Sequence, residues 1–209
     1  INEVWRTYPT ILSFDFEVFS HKKNPYSGEY PFPTKYFVED VIFIVSVIIQ
    51  KSGKPETRRK YSIIYGDTDH VTTSDETIIV HSEFELLYNF CKLFIREDPE
   101  IVTGYNIFLF DWDYFYVRAA ITGLSTVLPN MSRLKRGESK WYTKPNTGDY
   151  KRESPKLYMF SGRIALDMYI YVKKIPTLKP PTYKLNDVAK ELLGKEKHDV
   201  KPKEMFEAF

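Results

Sequence analysis

The sequence contains a run of nine residues at positions 41–49, VIFIVSVII, that is apolar apart from one serine. The run is far shorter than the roughly 20 residues that a transmembrane helix needs. Its many β-branched residues favour an extended strand over a helix. A strand with apolar residues at successive positions buries both of its faces. Residues 41–50 therefore predict a strand that is buried on both faces.

Strand and helix patterns alternate along the rest of the chain. Runs of β-branched and aromatic residues predict further strands at residues 10–18, 61–65 and 101–105. Helical patterns begin at Ser82 and span residues 111–122 and 182–193, and residues 161–174 predict a strand followed by a helix. This alternation predicts an α/β domain with a mixed β-sheet flanked by helices.

The helix at Ser82 has the clearest signals. Ser82 and Glu85 have the spacing of a capping box, and Pro99 prevents the helix from continuing. Spacings of three and four residues predict a buried apolar face formed by Phe84, Leu87, Tyr88, Cys91 and Phe94. Cys91 is therefore expected to be an inert core thiol.

Three segments predict loops rather than core elements. Residues 21–34 form a loop rich in proline, and residues 51–55 form a turn. Residues 130–160 are rich in charges and tyrosines, which predicts an inserted hairpin or loop. No closing element is predicted after the last helix, which ends at Gly194.

Composition excludes several protein classes. Hydrophobic residues make up 43% of the chain, which excludes a disordered tail. A single cysteine excludes a disulfide scaffold and a cysteine-rich zinc module. Residues 1–129 carry a net charge of −6 and residues 130–209 one of +8. The basic half is suited to phosphate and the acidic half to metal ions, although ordinary solvated charge is an equal alternative.

Two carboxylates lie in the first predicted strand. Asp15 and Glu17 are two residues apart, so they point to the same face of the strand. Two like charges side by side on a buried strand are costly, and a divalent cation between them offsets that cost. The alternative is a polar face with two solvated acids.

A second polar group follows the strand at residues 101–105. Asn106 is typical of a turn, and Asp111 lies at a helix start, where an N-cap is the plain alternative. Together, Asp15, Glu17 and Asp111 predict one site for a hard cation such as Mg²⁺ or Mn²⁺. Two such ions are a standard means of hydrolysing a phosphodiester.

The order of these motifs resembles a known family. D-x-E at Asp15 and Glu17, followed by G-Y-N-x-x-x-F-D at residues 104–111, resembles the Exo I and Exo II motifs of family B DNA polymerases. DPEIVT at residues 98–103, GR…D at 162–167 and YKLNDVA at 183–189 also resemble that family. The resemblance implies an RNase H-like exonuclease domain over residues 1–209, incomplete at its C-terminus, with the inserted hairpin at 130–160.

The resemblance also implies a role for each matching residue. Asp15 would bridge two Mg²⁺ or Mn²⁺ ions, Glu17 would orient the attacking water, and Asp111 would bind the second ion. Asn106 and Phe110 would lie against the 3′ end of DNA, although Phe110 is equally suited to the core. In the hairpin, the candidate DNA contacts are Lys140, Trp141, Lys144, Lys151 and Arg152.

The chain departs from the family pattern in two places. The third motif, Y-x-x-x-D, does not follow Val200, so the fourth metal ligand is expected beyond Phe209. Asp167 is not expected to replace it, because in the family pattern that residue ends a strand and is structural. Trp112 and Asp113 stand where the family commonly has an apolar residue and proline. Asp113 adds a negative charge near the site, and the alternative is that it simply faces solvent in the first helical turn, where acids are favoured.

Tyr65 to Asp69 spell YGDTD, the motif of the polymerase active site in the same family. The other polymerase motifs are absent, and glycine, aspartate and threonine are ordinary turn residues. We therefore interpret YGDTD as a coincidental turn. None of the four histidines (His21, His70, His81 and His198) has metal-ligand spacing to another.

The function that follows from the resemblance is 3′–5′ proofreading within a DNA-directed DNA polymerase, of a style that suits a large DNA virus. The expected partners are primer-template DNA with a single-stranded 3′ end, the other polymerase domains and a processivity factor. The expected place is the site of DNA replication, in the nucleus or a viral replication site, without secretion or membrane insertion. Two alternatives stay open. One is a catalytically silent module that binds single-stranded DNA. The other is a stand-alone RNase H-like nuclease, for which His198 is the only candidate base.

Overall fold

The structure is a computed structural model that describes residues 7–66, 75–134, 140–143, 156–195 and 202–208. Its strands are β1 (Thr10–Val18), β2 (Ile42–Lys51), β3 (Lys54–Tyr65), β4 (Glu76–Val80), β5 (Ile101–Gly104), β6 (Lys140–Thr143), β7 (Lys156–Met159) and β8 (Ile164–Asp167). Its α-helices are α1 (Glu83–Glu97), α2 (Asp111–Ile121), α3 (Met168–Val172), α4 (Leu185–Leu193) and α5 (Pro202–Ala208). Short 3-10 helices at Leu124–Thr126 and Leu128–Met131 follow α2.

The main sheet has the strand order β4-β3-β2-β1-β5-β8. The strands β1, β2 and β3 form an antiparallel meander, in which Asp15 of β1 lies opposite Ser46 of β2. The strand β4 pairs parallel with β3, β5 pairs parallel with β1, and β8 pairs parallel with β5. This mixed sheet with flanking helices confirms the predicted α/β class and is consistent with an RNase H-like exonuclease fold.

The helices α1 and α2 cover one face of this sheet. Phe14 and Phe16 of β1 point to that face and are buried. Their rings contact Trp112 of α2 at a centroid distance of 4.7 Å, and Phe90 of α1 at 5.3 Å. Tilted and edge-on aromatic pairs of this kind stabilise a core beyond their buried area. Because the two helices contact the same strand, they fix its inner face.

The strand β2 confirms the predicted element but not its burial. Val45, Val47 and Ile49 are buried against the helices, whereas Ser46 is exposed and Ile48 is only half-buried. The prediction of two buried faces was wrong, because α1 and α2 lie on the same side of the sheet. Because aliphatic residues also occupy the partly covered face, the two faces together give one continuous apolar run in the sequence.

The strand β3 begins earlier than its predicted start at Tyr61. Its first half, Lys54 to Lys60, is largely exposed and charged, so it lacks an apolar pattern. The turn before β3 is confirmed, with Gly53 at φ 71°. This left-handed conformation is one that glycine adopts without strain.

The start of α1 confirms the predicted cap, since the Ser82 side chain accepts a hydrogen bond from the backbone N–H of Glu85. Of its predicted apolar face, Leu87, Cys91 and Phe94 are buried as expected, but the other two residues are not. Phe84 and Tyr88 are 44% and 39% exposed and stack on each other. The buried apolar residues are Leu86, Leu87, Phe90, Cys91, Leu93 and Phe94. The error arose because apolar residues occupy more than half of the helix circumference.

The inserted hairpin is present as a two-stranded antiparallel sheet of β6 and β7. The predicted strand and helix near residue 167 correspond to β8 and α3, and the last predicted helix corresponds to α4, which ends at Gly194. The prediction that no closing element follows α4 was wrong. The helix α5 follows, and it buries Phe206 beside Phe19 and Phe43. A seven-residue helix with few apolar residues gives too little periodicity to detect. None of the described helices is both long and apolar enough to span a bilayer.

Candidate active site

Polar side chains gather where the parallel strands β1, β5 and β8 end. Asp15 and Glu17 lie near the end of β1, Asn106 and Asp111 follow β5, and Asp167 is the last residue of β8. The carboxyl ends of neighbouring parallel strands meet at one edge of a sheet, which is where ligands bind in α/β folds. The topology therefore brings the sequence-predicted carboxylates to one edge.

Asp15 and Glu17 share the outer face of β1. Asp15 is exposed and Glu17 is half-buried, whereas Phe14, Phe16 and Val18 on the opposite face are buried. The alternation is that of a strand with one apolar and one polar face. Both carboxylates are therefore accessible from the side of the sheet opposite α1 and α2.

Asp111 is held beneath this edge. It is 2% exposed, and its Oδ1 accepts a hydrogen bond from the backbone N–H of Phe16 at 3.1 Å. Main-chain pairing between β1 and β5 ends at Ser13 and Thr103. Beyond that point, the Asp111 carboxylate accepts a hydrogen bond from the N–H that β5 does not pair. Asp111 is the first residue of α2 and Phe110 occupies the N-cap position, so the alternative of an ordinary N-cap was wrong.

Burial and charge make Asp111 an unusual acid. Removal from water disfavours its ionised form and, together with the negative charge of Asp15, raises the pKa of Asp111 to about 8. The repulsion shows that the two carboxylates are near enough to interact. A buried carboxyl with a strongly raised pKa in an acidic cluster is typical of a functional site.

Asp167 fixes the loop that follows β5. It is buried and accepts hydrogen bonds from the backbone N–H groups of Asn106, Phe108 and Tyr169 at 2.9, 3.0 and 2.9 Å. Burial raises the pKa of Asp167. Asn106 has a φ of 65°, a left-handed conformation that asparagine tolerates. These contacts agree with a structural role for Asp167, as expected from the sequence.

The donor chemistry of this edge fits a hard divalent cation. Asp15, Glu17 and Asp111 offer only carboxylate oxygens, and a cation would relieve the repulsion between Asp15 and Asp111. Among the described residues, however, no three His, Cys, Asp or Glu side chains are grouped closely enough to hold a metal ion.

A pocket of about 650 Å³ is lined by residues on both sides of Asp111 in the sequence, including Phe110 and Asp113. One wall contains Asn106 and Phe110, the two residues predicted to contact a DNA 3′ end, and the other wall is formed by residues 32–36. Phe110 is half-buried, and its ring centroid lies 5.6 Å from that of Phe32. Phe110 therefore packs against the core and also lines the pocket, while its contact with DNA stays a prediction. The pocket has the size and the mixed polar and aromatic lining of a small-ligand site.

The departures at residues 112 and 113 have different outcomes. Trp112 is fully buried among the aromatic residues of the core. Asp113 pairs with Lys35 of the opposite pocket wall, so the alternative that it simply faces solvent was wrong. The pair joins the two walls of the pocket.

Several predicted residues lie outside what the structure describes. Lys144, Lys151 and Arg152 are outside the described residues, as are Asp67 to Asp69 of YGDTD, His70 and His198. Lys140 and Trp141 belong to β6, but their side chains are not described. The predicted DNA contacts of the hairpin and the interpretation of YGDTD therefore stay predictions.

No sequence pattern pointed to three residues that shape the pocket. Lys35 lines it, Asp40 binds both ends of the loop at residues 21–34, and Arg118 binds the main chain of Val38, just after the outer wall. Asp40 accepts hydrogen bonds from the backbone N–H groups of His21 and Thr34 at 2.9 and 2.6 Å. These bonds and the His21 ring hold the pKa of Asp40 low despite its burial. Their partners are distant in sequence, so no local pattern marks them.

Comparison with known proteins identifies this arrangement. A profile of the exonuclease domain of DNA polymerase family B matches residues 3–188. The DNA polymerase catalytic subunit of Alcelaphine herpesvirus 1 is 33% identical over 96% of the chain, and that of Saimiriine herpesvirus 2 is 33% identical over 98%. DNA polymerase 037L of Invertebrate iridescent virus 6 is 32% identical over 94%.

The matched region is a small part of each relative. The chain spans 18%, 19% and 16% of the length of these three polymerases, respectively. The profile, in contrast, covers most of the chain, including every predicted carboxylate and both walls of the pocket. The chain therefore belongs to the exonuclease domain family of the family B DNA polymerases.

Proposed function

We propose that the chain is the 3′–5′ proofreading exonuclease of a DNA-directed DNA polymerase and removes mispaired 3′ nucleotides as monophosphates. One observation carries the proposal. The buried Asp111 carboxylate is bonded to β1 beside Asp15 and Glu17, next to a pocket lined by Asn106 and Phe110. Exonuclease domains of this family generally use divalent metal ions. Asp15, Glu17 and Asp111 would hold two Mg²⁺ or Mn²⁺ ions.

Each residue of the site would have a separate role in the reaction. When bound, the metal ions would activate water and neutralise charge on the scissile phosphate. Glu17 would orient the attacking water from the accessible face of β1. Asn106 and Phe110 would contact the unpaired 3′ nucleotide in the pocket, and Asp167 holds the loop that carries Asn106. A mispaired end is cheaper to separate from its template, which would favour its entry into the pocket.

The wider assignments are also proposals. Because its relatives are about five times as long, the chain would act as one domain of a longer polymerase at the site of DNA replication. A Y-x-x-x-D segment after residue 209 would supply a fourth ligand. The substrate would be primer-template DNA with a single-stranded 3′ end, and a processivity factor is a further expected partner. The hairpin residues Lys140, Trp141, Lys144, Lys151 and Arg152 would contact that strand.

A second function has one observation in its favour. The described residues contain no assembled three-ligand metal cluster. A catalytically silent module would bind single-stranded DNA through the pocket and the basic hairpin without releasing nucleotides. Its DNA binding would weaken with salt, as phosphate contacts do.

The test is release of nucleotide monophosphate from a 3′-mismatched primer, with Mg²⁺ or Mn²⁺. It is run on the chain and on a form extended by about 50 residues, the length in which the fourth ligand is expected. We expect the extended form to cut and its Asp15→Ala variant to lose activity by orders of magnitude. Asp67→Ala, in the YGDTD segment, is the control and should cut normally. DNA binding without cleavage by both forms would reject the exonuclease in favour of the silent module.

A further inference from the structure

Arg118 is the most deeply buried cation among the described residues, at 1% exposure in the interior of α2. Its guanidinium forms a bidentate pair with Glu83 of α1, with Nε–Oε1 and Nη2–Oε2 distances of 2.9 and 2.6 Å. Glu83 in turn accepts a hydrogen bond from the backbone N–H of Ile42 at 2.8 Å. The pair therefore links α1, α2 and the start of β2.

The remaining donors of Arg118 point to a loop. They bind the carbonyl oxygens of Phe37 and Val38 at 2.5 and 2.8 Å. A buried guanidinium needs partners for its five N–H groups, and these carbonyls satisfy those that Glu83 leaves. Arg118 consequently fixes the main chain of residues 37–38 to the body of the domain.

Within the loop, the N–H of Phe37 donates to the carbonyl of Thr34 at 2.9 Å, and the N–H of Asp40 donates to the carbonyl of Phe37 at 3.3 Å. Tyr36 is 65% exposed and Val38 is 67% exposed, so burial of their side chains contributes little to its position. The preceding residues are anchored differently, by the Asp40 carboxylate at the N–H of Thr34. The hydroxyl of Tyr114 also donates to the carbonyl of Asp40, at 2.8 Å. Asp113 of α2 pairs with the Lys35 side chain, whereas Arg118 of the same helix binds the main chain of residues 37–38.

The anchored loop forms the outer wall of the pocket. Lys35 and Tyr36 line the pocket opposite Asn106 and Phe110, and the Lys35 ammonium pairs with Asp113 across it. Arg118 itself does not line the pocket. The width of the pocket nevertheless depends on where the carbonyls of residues 37–38 are held.

We propose that Arg118 is a positioning residue of the exonuclease, which sets the width of the 3′-end pocket by holding the main chain of residues 37–38. The proposal rests on the proposed function. Loss of this anchor weakens binding of a single-stranded 3′ end and leaves the hydrolytic step unchanged, because the carboxylates lie on β1 and at the start of α2. A misplacement of about 1 Å in a positioning element is enough to cost binding or rate.

The decisive variant is Arg118→Lys. Lysine keeps the positive charge beside Glu83, but a single ammonium cannot reproduce the planar fork that also reaches two carbonyls. Arg163→Lys is the matched control. The Arg163 side chain is 2% exposed and binds Asp98 and the carbonyls of Pro99 and Met131 at the opposite end of the strands.

Steady-state kinetics on a single-stranded oligonucleotide are measured in the intact protein. We expect Arg118→Lys to raise KM by about tenfold with kcat changed less than about twofold, the signature of lost ground-state binding. Arg163→Lys should lower the melting temperature about as much as Arg118→Lys does, but it should leave KM and kcat unchanged. Equal kinetics in wild type and Arg118→Lys, or the same kinetic change in both variants, would overturn the proposal.

Two further measurements separate the possible failures. If Arg118→Lys does not fold, the double variant Glu83→Met/Arg118→Met removes the carbonyl anchor without leaving a buried charge, and the same rise in KM is expected. Hydrogen exchange of the amides at residues 35–38 needs no activity, and it should accelerate in Arg118→Lys but not in Arg163→Lys. If neither the chain nor its extended form cuts, the proposed function fails. In that case, hydrogen exchange at residues 35–38 and oligonucleotide binding in EDTA still test whether Arg118 positions the loop.

Discussion

Asp111→Asn should make the metal-free protein more stable while abolishing its exonuclease activity. The asparagine side chain has nearly the same shape, and its Oδ1 can still accept the hydrogen bond from the N–H of Phe16. It carries no charge, so it avoids the cost of ionising a buried group beside Asp15. Loss of the carboxylate removes a proposed metal ligand.

The magnitude follows from the pKa. The pKa of Asp111 is about 8 in the folded protein, against an ordinary value of 3.8 in the unfolded chain. Between these values the folded protein retains a proton that the unfolded chain has released, so stability falls as the pH rises through that window. A tenfold difference in proton affinity is worth about 1.4 kcal/mol, so the full cost at pH 8 and above is about 5 kcal/mol. Relaxation around the charge lowers this value, and we expect Asp111→Asn to gain about 3 to 5 kcal/mol at pH 8.

Urea unfolding at pH 5, 6.5 and 8 in EDTA measures the effect. The stability gain of Asp111→Asn should be small at pH 5 and grow at each step. Addition of Mg²⁺ at pH 8 should stabilise wild type more than the variant, because only wild type has the carboxylate. A gain that is the same at pH 5 and pH 8, or a variant less stable than wild type at pH 8, would refute the reasoning.

Two further substitution and labelling experiments probe the surrounding structure. Gly104→Ala should lower the unfolding free energy by about 1 to 3 kcal/mol and reduce activity further than this loss explains. A Cβ there would lie 2.4 Å from Ile107 Cγ2 and 2.7 Å from the main-chain oxygen of Phe14, which forces β1 and β5 apart. Thermal melts and nucleotide release measure both effects, and a variant with normal activity would contradict the close approach. Cys91, whose burial raises its pKa to about 12, should react with a thiol reagent only at the rate of unfolding. Rapid labelling in native buffer would show that the core opens locally.

The sequence was sufficient to predict the elements whose pattern is local. The alternation of Phe14 and Phe16 with Asp15 and Glu17 defined both the strand and the polar face that the structure shows. The capping pair Ser82 and Glu85 located the start of α1. Such patterns depend on neighbours within about one helical turn, which a single sequence contains.

The parts that escaped prediction depend on tertiary contacts. Arg118 binds Glu83 and Phe37, which are 35 and 81 residues away, and no spacing rule connects them. Asp113 likewise pairs with Lys35, 78 residues away, although an acid in a first helical turn usually faces solvent. The outer wall of the pocket could therefore not be assembled from periodicity.

Because apolar and polar residues alternate along β1, the position of the carboxylates depends on the register between β1 and β2. Asp15 lies opposite Ser46 of β2, and a slip of one residue in that register would turn both carboxylates towards Phe90 and Trp112. It would also expose Phe14 and its apolar neighbours to water. Burial of two unpaired carboxylates costs several kcal/mol each, which is comparable to the whole stability of a domain. A chain with the slipped strand would therefore not fold stably, so a folded domain with misplaced carboxylates would not persist.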